Sequence, residues 1–270
     1  MASPIPYIGI TGIVDDNDIA TVRACVGKIL GIRGAASHVL MAGVLVSRKT
    51  LTHDVTTNRR YPIIEVVDDL LRSCGSVSAW PVVHYNTRSK GDVLATELDM
   101  VVETCPSMRG IQLNIVSPDV SVVCKFAVKY PEVQVIIQIN GSSLRATGLT
   151  PRGYAMGYPG IKHALLDLSG GNGKAIDPSV ASRDILEACF PLRNNGVRLG
   201  IAGGLGPLNP ELSAVLNECL PSGITPRDLS YDAESGVRVP VPDPIEGEPY
   251  QDVLDRDCAL AYVESIGRAL

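Results

Sequence analysis

The chain has 270 residues, with 24 Lys and Arg against 29 Asp and Glu and a formal charge of −5, enough for one large domain or two small ones. A mildly acidic balance without basic clusters excludes a nucleic-acid footprint, and no apolar run approaches the roughly 20 residues that cross a bilayer. The start, Met-Ala-Ser-Pro-Ile-Pro, has no basic stretch followed by an apolar one, so no secretory leader is expected and the compartment is read as cytoplasmic.

Strand-like and helix-like stretches alternate along the chain. Tyr7–Ile13 reads as a strand, and Asp18–Gly31 as a helix with Ile19, Val22, Val26 and Ile29 on one face. His38–Val46 is the second strand. A polar segment, Ser47 to Tyr61, leads to a helix over Pro62–Ser73 with a stripe of Ile63, Val66, Val67, Leu70 and Leu71. Ala79–Tyr85 is the third strand and Gly91–Cys105 the third helix. Gly110–Val116 follows, and Ser117-Pro118 caps a helix to Tyr130. Val133–Ile139 is the fifth strand. The stretch Gly141 to Gly160 is glycine-rich and holds an irregular or short helix.

His163–Leu168 is the sixth strand, ending in an acid and a glycine-rich turn. Asp177-Pro178 then opens a helix to Leu192, with Asp as N-cap and Pro in its first turn. Val197–Ala202 is the seventh strand, Asn209-Pro210 caps a helix to Leu220, and Leu229–Ala233 is the eighth strand. A proline-rich loop, Val239 to Pro249, leads to a last helix over Gln251–Ala269. Eight βα units without a linker predict one domain, residues 1–270, built as a single closed TIM (β/α)8 barrel; the rival is a doubly wound open sheet. The seven cysteines form no Cys-x-x-Cys pair and read as reduced thiols.

Barrel strands alternate inward and outward, and one parity collects the polar residues. It gives His84 and Asn86, Gln112 and Asn114, Gln138 and Asn140, Asp167 and Ser169, and Asp232 and Glu234. These side chains converge at the C-terminal mouth, where barrel enzymes keep their sites. The alternative is that some are merely the first exposed residues after each strand. Gly203, Gly204, Ser235 and Gly236 follow strands seven and eight, where backbone N–H groups can hold a phosphate; tight turns without a ligand are the plainer reading. Lys174 is either a cation over the site or a solvated lysine. The segment 47–61 carries Arg48, Lys49, His53, Asp54, Arg59 and Arg60. It is either a lid that meets an anion or a solvated loop.

Leu-Leu-Asp167 followed by Gly-Gly-Asn-Gly-Lys-Ala-Ile-Asp177 resembles the strand-six signature of phosphoribosylanthranilate isomerase. Ala202-Gly-Gly-Leu205 with Asn209-Pro210-Glu211, Asp232-Ala-Glu-Ser-Gly-Val237, Ile111-Gln-Leu-Asn114 and Gly9-Ile-Thr11 are similar to that family's later, fourth-strand and first-strand motifs. The resemblance implies an Amadori rearrangement of a phosphoribosyl amine, without metal or cofactor. It implies Asp167 as general acid. The family's strand-one cysteine, its base, is replaced by Ile8, so the family reaction itself is not expected. Glu234 or His84 would serve as base instead. Glu234 could equally pair with Arg48 or Lys49 and only hold the lid. Arg48, Gln112, Asn114, Asn140, Lys174 and Asp232 are the candidate substrate contacts.

The expected function is acid–base chemistry on a phosphorylated sugar or sugar conjugate. The other reading is a protein that binds a phosphorylated ligand without turnover. Absence of inward lysines and of histidine clusters at the strand ends disfavours a Schiff-base aldolase and a metal enzyme. No cofactor, nucleic acid or membrane partner is expected, and a homodimer is left open.

Overall fold

The structure is a computed structural model, and it describes residues 4–54, 58–167, 192–207, 220, 222–242 and 251–270. Eight parallel strands close into a barrel: β1 (Tyr7–Thr11), β2 (Val39–Ser47), β3 (Trp80–Asn86), β4 (Gly110–Asn114), β5 (Gln134–Ile139), β6 (His163–Asp167), β7 (Arg198–Ala202) and β8 (Ser230–Ala233). Strand β8 pairs with β1, Gly9 standing level with Asp232, and this pairing excludes the open sheet.

The helices described are α1 (Asp16–Gly31), α2 (Arg48–Leu51), α3 (Ile64–Ser76), α4 (Gly91–Thr104), α5 (Val120–Lys129), α6 (Gly141–Thr147), α7 (Pro151–Met156) and α8 (Arg256–Ala269). The helices expected over 178–192 and 209–220 lie largely outside the described residues. Local chemistry sets the helix starts. Asp15 accepts from Asp18 N, Thr150 from Gly153 N with Pro151 behind it, and Asp255 from Cys258 N. The short α2 was hidden in the polar segment. Ser47 and Thr50 form a reciprocal cap there.

One expectation is corrected at the C-terminal end. Gln251–Leu254 is not helical but a strand, β10, paired antiparallel with β9 (Arg238–Val241). The helix begins only after its Asp255 cap. Pro240 is accommodated because a two-stranded ribbon leaves an edge where no N–H is required.

The apolar core divides into two. A large outer cluster fills the space between strands and helices, for example Ile8 and Ile10 with Val22, Cys25, Tyr262 and Val263. A small inner cluster, Tyr7, Met41, Val82, Ile136, Leu165 and Ala202, plugs the barrel lumen. At its edge Tyr7 of the cluster packs with Trp80 and His163, ring centroids 5.3–5.6 Å apart. Burial pushes His163 down to about 3, so its ring is neutral, and Nε2 meets Gln134 Oε1 at 2.9 Å. Cys25, Cys74 and Cys105 are buried free thiols, pushed up to about 12 by burial. Among the described residues no helix is long and apolar enough to cross a membrane, and no cluster of His, Cys, Asp and Glu could hold a metal ion.

Candidate functional site at the barrel mouth

A cavity of about 400 Å³ opens at the C-terminal ends of the strands. His84 reaches it from β3, Gln112 and Asn114 from β4, Gln138 and Asn140 from the end of β5, Asp167 from β6, and Asp232 and Glu234 from β8. The pleat explains the convergence. These positions share the parity of the inner cluster one layer above it, while their neighbours Tyr85, Ile111, Ile137, Leu166 and Tyr231 pack outward. Asn86 departs from the pattern and donates to the Tyr61 hydroxyl at 3.3 Å. Ser169 and Lys174 lie outside the described residues.

The polar groups of the mouth are tied to one another. Gln138 Nε2 donates to Asp167 Oδ2 at 3.1 Å, which fixes the amide orientation and leaves Gln138 Oε1 buried without a partner among the described residues. Asn140 caps α6, its Oδ1 accepting from Ser143 N at 2.9 Å. Thr11 Oγ1, on the inward parity of β1, donates to Asp232 Oδ1 at 3.0 Å and lies 3.4 Å from His84 Nε2. Burial pushes Asp232 up to about 8, and the negative charges of Glu234 and Asp167 act in the same direction. The Thr11 hydrogen bond only partly opposes them. Burial pushes His84 down to about 3, so the imidazole is neutral. The Thr11 proton is committed to Asp232, so the 3.4 Å contact has His84 Nε2–H donating to Thr11.

Glu234 is held by a cation other than those expected. Arg60 Nη1 donates to Glu234 Oε1 at 2.7 Å and its other nitrogens grip Asp252 of β10. Asp252 also pairs with Arg238, which donates to Gly12 O at 2.8 Å. The segment after β2 is thereby clamped to the β9–β10 ribbon. Arg48 and Lys49, read as alternative partners of Glu234, line a neighbouring groove with Arg88. Arg48 donates to Ser89 and pairs with the buried Glu97 at 3.4 Å, so the described structure does not bring it into the central cavity.

The glycine corner is made by two turns packed backbone to backbone. Gly203 and Gly204 have φ of 102° and 65°, a region that favours glycine, and they line the cavity with Ser235. Gly236 stands behind them. A Cβ there would lie 2.0 Å from Leu205 O.

Ile8, at the sequence place of the resembled family's cysteine, is fully buried in the outer cluster, and the inward residues of β1 are Tyr7, Gly9 and Thr11. Two residues of the site escaped the sequence reading as site residues. Thr11 was seen only as part of Gly-Ile-Thr, although its parity marks it as inward. Arg60 was one of several loop cations, and nothing local separates it from Arg59.

No family model and no characterised protein sequence matches the chain. Among solved structures it is similar to the GH113 β-mannanase AaManA from Alicyclobacillus acidocaldarius, with a TM-score of 0.54 and 7% identity over 99% of this chain and 97% of that one. It is also similar to a Rubisco-like protein from Rhodopseudomonas palustris, with a TM-score of 0.53 and 10% identity over 98% of this chain and 64% of that one. At these identities the likeness is one of barrel fold.

Proposed function

We propose that this barrel is an enzyme that moves protons on a phosphorylated sugar or sugar conjugate, as an isomerase does. The observation that carries the reading is the meeting of buried amides and carboxyls of β4, β5, β6 and β8 in one cavity beside the glycine corner. Leaving such groups unpaired costs roughly 1–3 kcal/mol each. Gln138 Oε1 is a buried acceptor with no donor among the described residues, and a sugar hydroxyl would supply one. The phosphate would sit against the N–H groups of Gly203, Gly204, Ser235 and Gly236. Asn114, Gln112 and Asn140 would meet the sugar. Asp167 would be the acid, as its match to the isomerase signature suggests. His84 is a poor base because burial leaves its neutral ring with little affinity for a second proton, and Glu234 is compensated by Arg60. The rearrangement of the resembled family by its own cysteine route is not part of this reading.

The test is calorimetric. Ribose 5-phosphate should bind more tightly than ribose, compete with inorganic phosphate, and lose its advantage in Ser235→Asp. Equal affinity for ribose and its phosphate would refute the phosphate corner. Binding of phosphorylated sugars without any exchange of carbon-bound hydrogen in deuterated water would favour a protein that holds its ligand and does not turn it over.

A further inference from the structure

The deepest carboxyl of the mouth has so far only a binding role. In the ladder Asp232 stands level with Gly9 of β1 on one side and Ala202 of β7 on the other, and Ala202 is level with Asp167. Its flanking neighbours thus offer no side chain and a methyl. A Cβ at Gly9 would lie 2.6 Å from Asp232 Oδ1, so the carboxyl fills the space that a side chain on β1 would take. A Cβ at Gly43 of β2 would meet Thr11 Oγ1 at 2.7 Å and His84 Nε2 at 2.8 Å. Two missing side chains therefore open one slot across the inner wall, and Asp232, Thr11 and His84 occupy it in contact.

The hydrogen bonds in this slot run one way. His84 Nε2–H points at Thr11, and the Thr11 hydroxyl points at Asp232 Oδ1. Thr11 favours a charge on the carboxyl and holds its Oδ1, His84 orients the Thr11 hydroxyl, and the other carboxyl oxygen is left for the cavity that Asp232 lines. We propose that Asp232 is the catalytic base of the mouth, and that Thr11 and His84 are positioning residues that aim its carboxyl. This deepens the acid–base reading above and rests on it. In the step, a C–H bond beside the substrate's carbonyl or imine breaks and its proton forms an O–H bond at Asp232 Oδ2. In the productive form the Asp167–Asp232 pair carries one proton, on Asp167, and the charge is on Asp232. The C–H electron pair forms the new double bond, and the carbonyl or imine π pair moves to its oxygen or nitrogen. Asp167 gives its proton to that atom, and solvent returns the proton from Asp232 to Asp167. The surroundings suit a base. Asp167 from β6 and Glu234 after β8 repel a charge on Asp232, and burial holds Tyr7 of the inner cluster as a neutral phenol. Burial and these charges bring its carboxyl to about 8, close to the strength that proton transfer in neutral solution calls for.

The experiment uses a phosphorylated epoxide, glycidol phosphate, on the full chain. A basic carboxylate attacks the epoxide carbon, an ester C–O bond forms, the ring C–O bond breaks, and the ring oxygen takes a proton from water. Peptide mass analysis should find one label, on Asp232, blocked by inorganic phosphate. Thr11→Val should slow labelling about 10-fold and Thr11→Ser should restore it. In parallel, 13C-carboxyl NMR of aspartate-labelled protein should show a resonance with a midpoint near 8 that is missing in Asp232→Asn and moves upward in Thr11→Val. A label on Asp167 or Glu234 with Asp232 unmodified overturns the proposal. So does an ordinary carboxylate midpoint for Asp232, even where phosphate protects the mouth. If phosphate gives no protection, the phosphate corner fails, and the NMR midpoint with its response to Thr11→Val decides for or against the base.

Discussion

Replacing Asp232 by Asn should make the protein more stable, and the gain should grow with pH. The amide keeps the shape of the carboxyl and can still accept from Thr11, whose hydroxyl donates to Oδ1 in the native chain. It has no proton to lose. In the unfolded chain an aspartate ionises near 4, whereas the folded carboxyl holds its proton until about pH 8. Below pH 4 both states bind the proton and the native stability is complete. Between 4 and 8 the unfolded state releases it and the folded state does not, so native stability falls by up to about 1.4 kcal/mol per pH unit. Four units amount to about 6 kcal/mol, an upper figure, because water entering the open mouth and relief of the Asp167 and Glu234 repulsion reduce the span. The stability of Asp232→Asn minus that of the native chain should therefore be small at pH 4.5 and reach several kcal/mol by pH 9. Urea unfolding followed by circular dichroism at pH 4.5, 6, 7.5 and 9, at constant ionic strength, measures this difference directly. A difference that stays level across the series would show that Asp232 is not a buried proton holder, and the electrostatic account of the mouth would fall.

Three further outcomes are expected. Gly236→Ala forces a methyl against the Leu205 carbonyl at 2.0 Å, so it should cost about 3 kcal/mol or more in urea unfolding and abolish phosphate binding by calorimetry. Arg60→Ala leaves the half-buried Glu234 and Asp252 without their shared cation; a loss of about 1–2 kcal/mol, smaller in 1 M salt, should appear in thermal unfolding. Tyr7→Phe removes a buried hydroxyl with no partner among the described residues, so stability should hold or rise by about 1 kcal/mol, and a clear loss would mean that the hydroxyl is satisfied by a bound water.

The strands were legible because their signal is strong and local. Val-Leu-Met-Ala-Gly-Val-Leu-Val on β2 or Val-Gln-Val-Ile-Ile-Gln-Ile around β5 can be little else than buried strand, and once parity is assigned the polar ends follow. The β9–β10 ribbon was not legible. Gln-Asp-Val-Leu is too short to show a period, and it abuts a true helix whose Asp255 cap is its only boundary mark. At the mouth, the inward polar side chains could be read from spacing. The pairing of Arg60 with Glu234, 174 residues apart, could not, because it depends on how a loop folds back over the barrel. The Thr11 relay depends equally on emptiness, and a glycine in a sequence does not announce which neighbour will use its space.

The split of the apolar core has a consequence for how such a chain changes over time. The outer cluster joins every strand to the surrounding helices, whereas the inner one is a plug of six buried residues beneath the mouth. Cohesion and chemistry are thus segregated radially. A substitution at Gln112, Asn114 or Gln138 alters what the cavity recognises while the layer that holds the fold together is untouched. Drift at the strand ends would therefore alter reactivity long before it threatens folding, and sequence likeness would fade first at the residues that define the reaction.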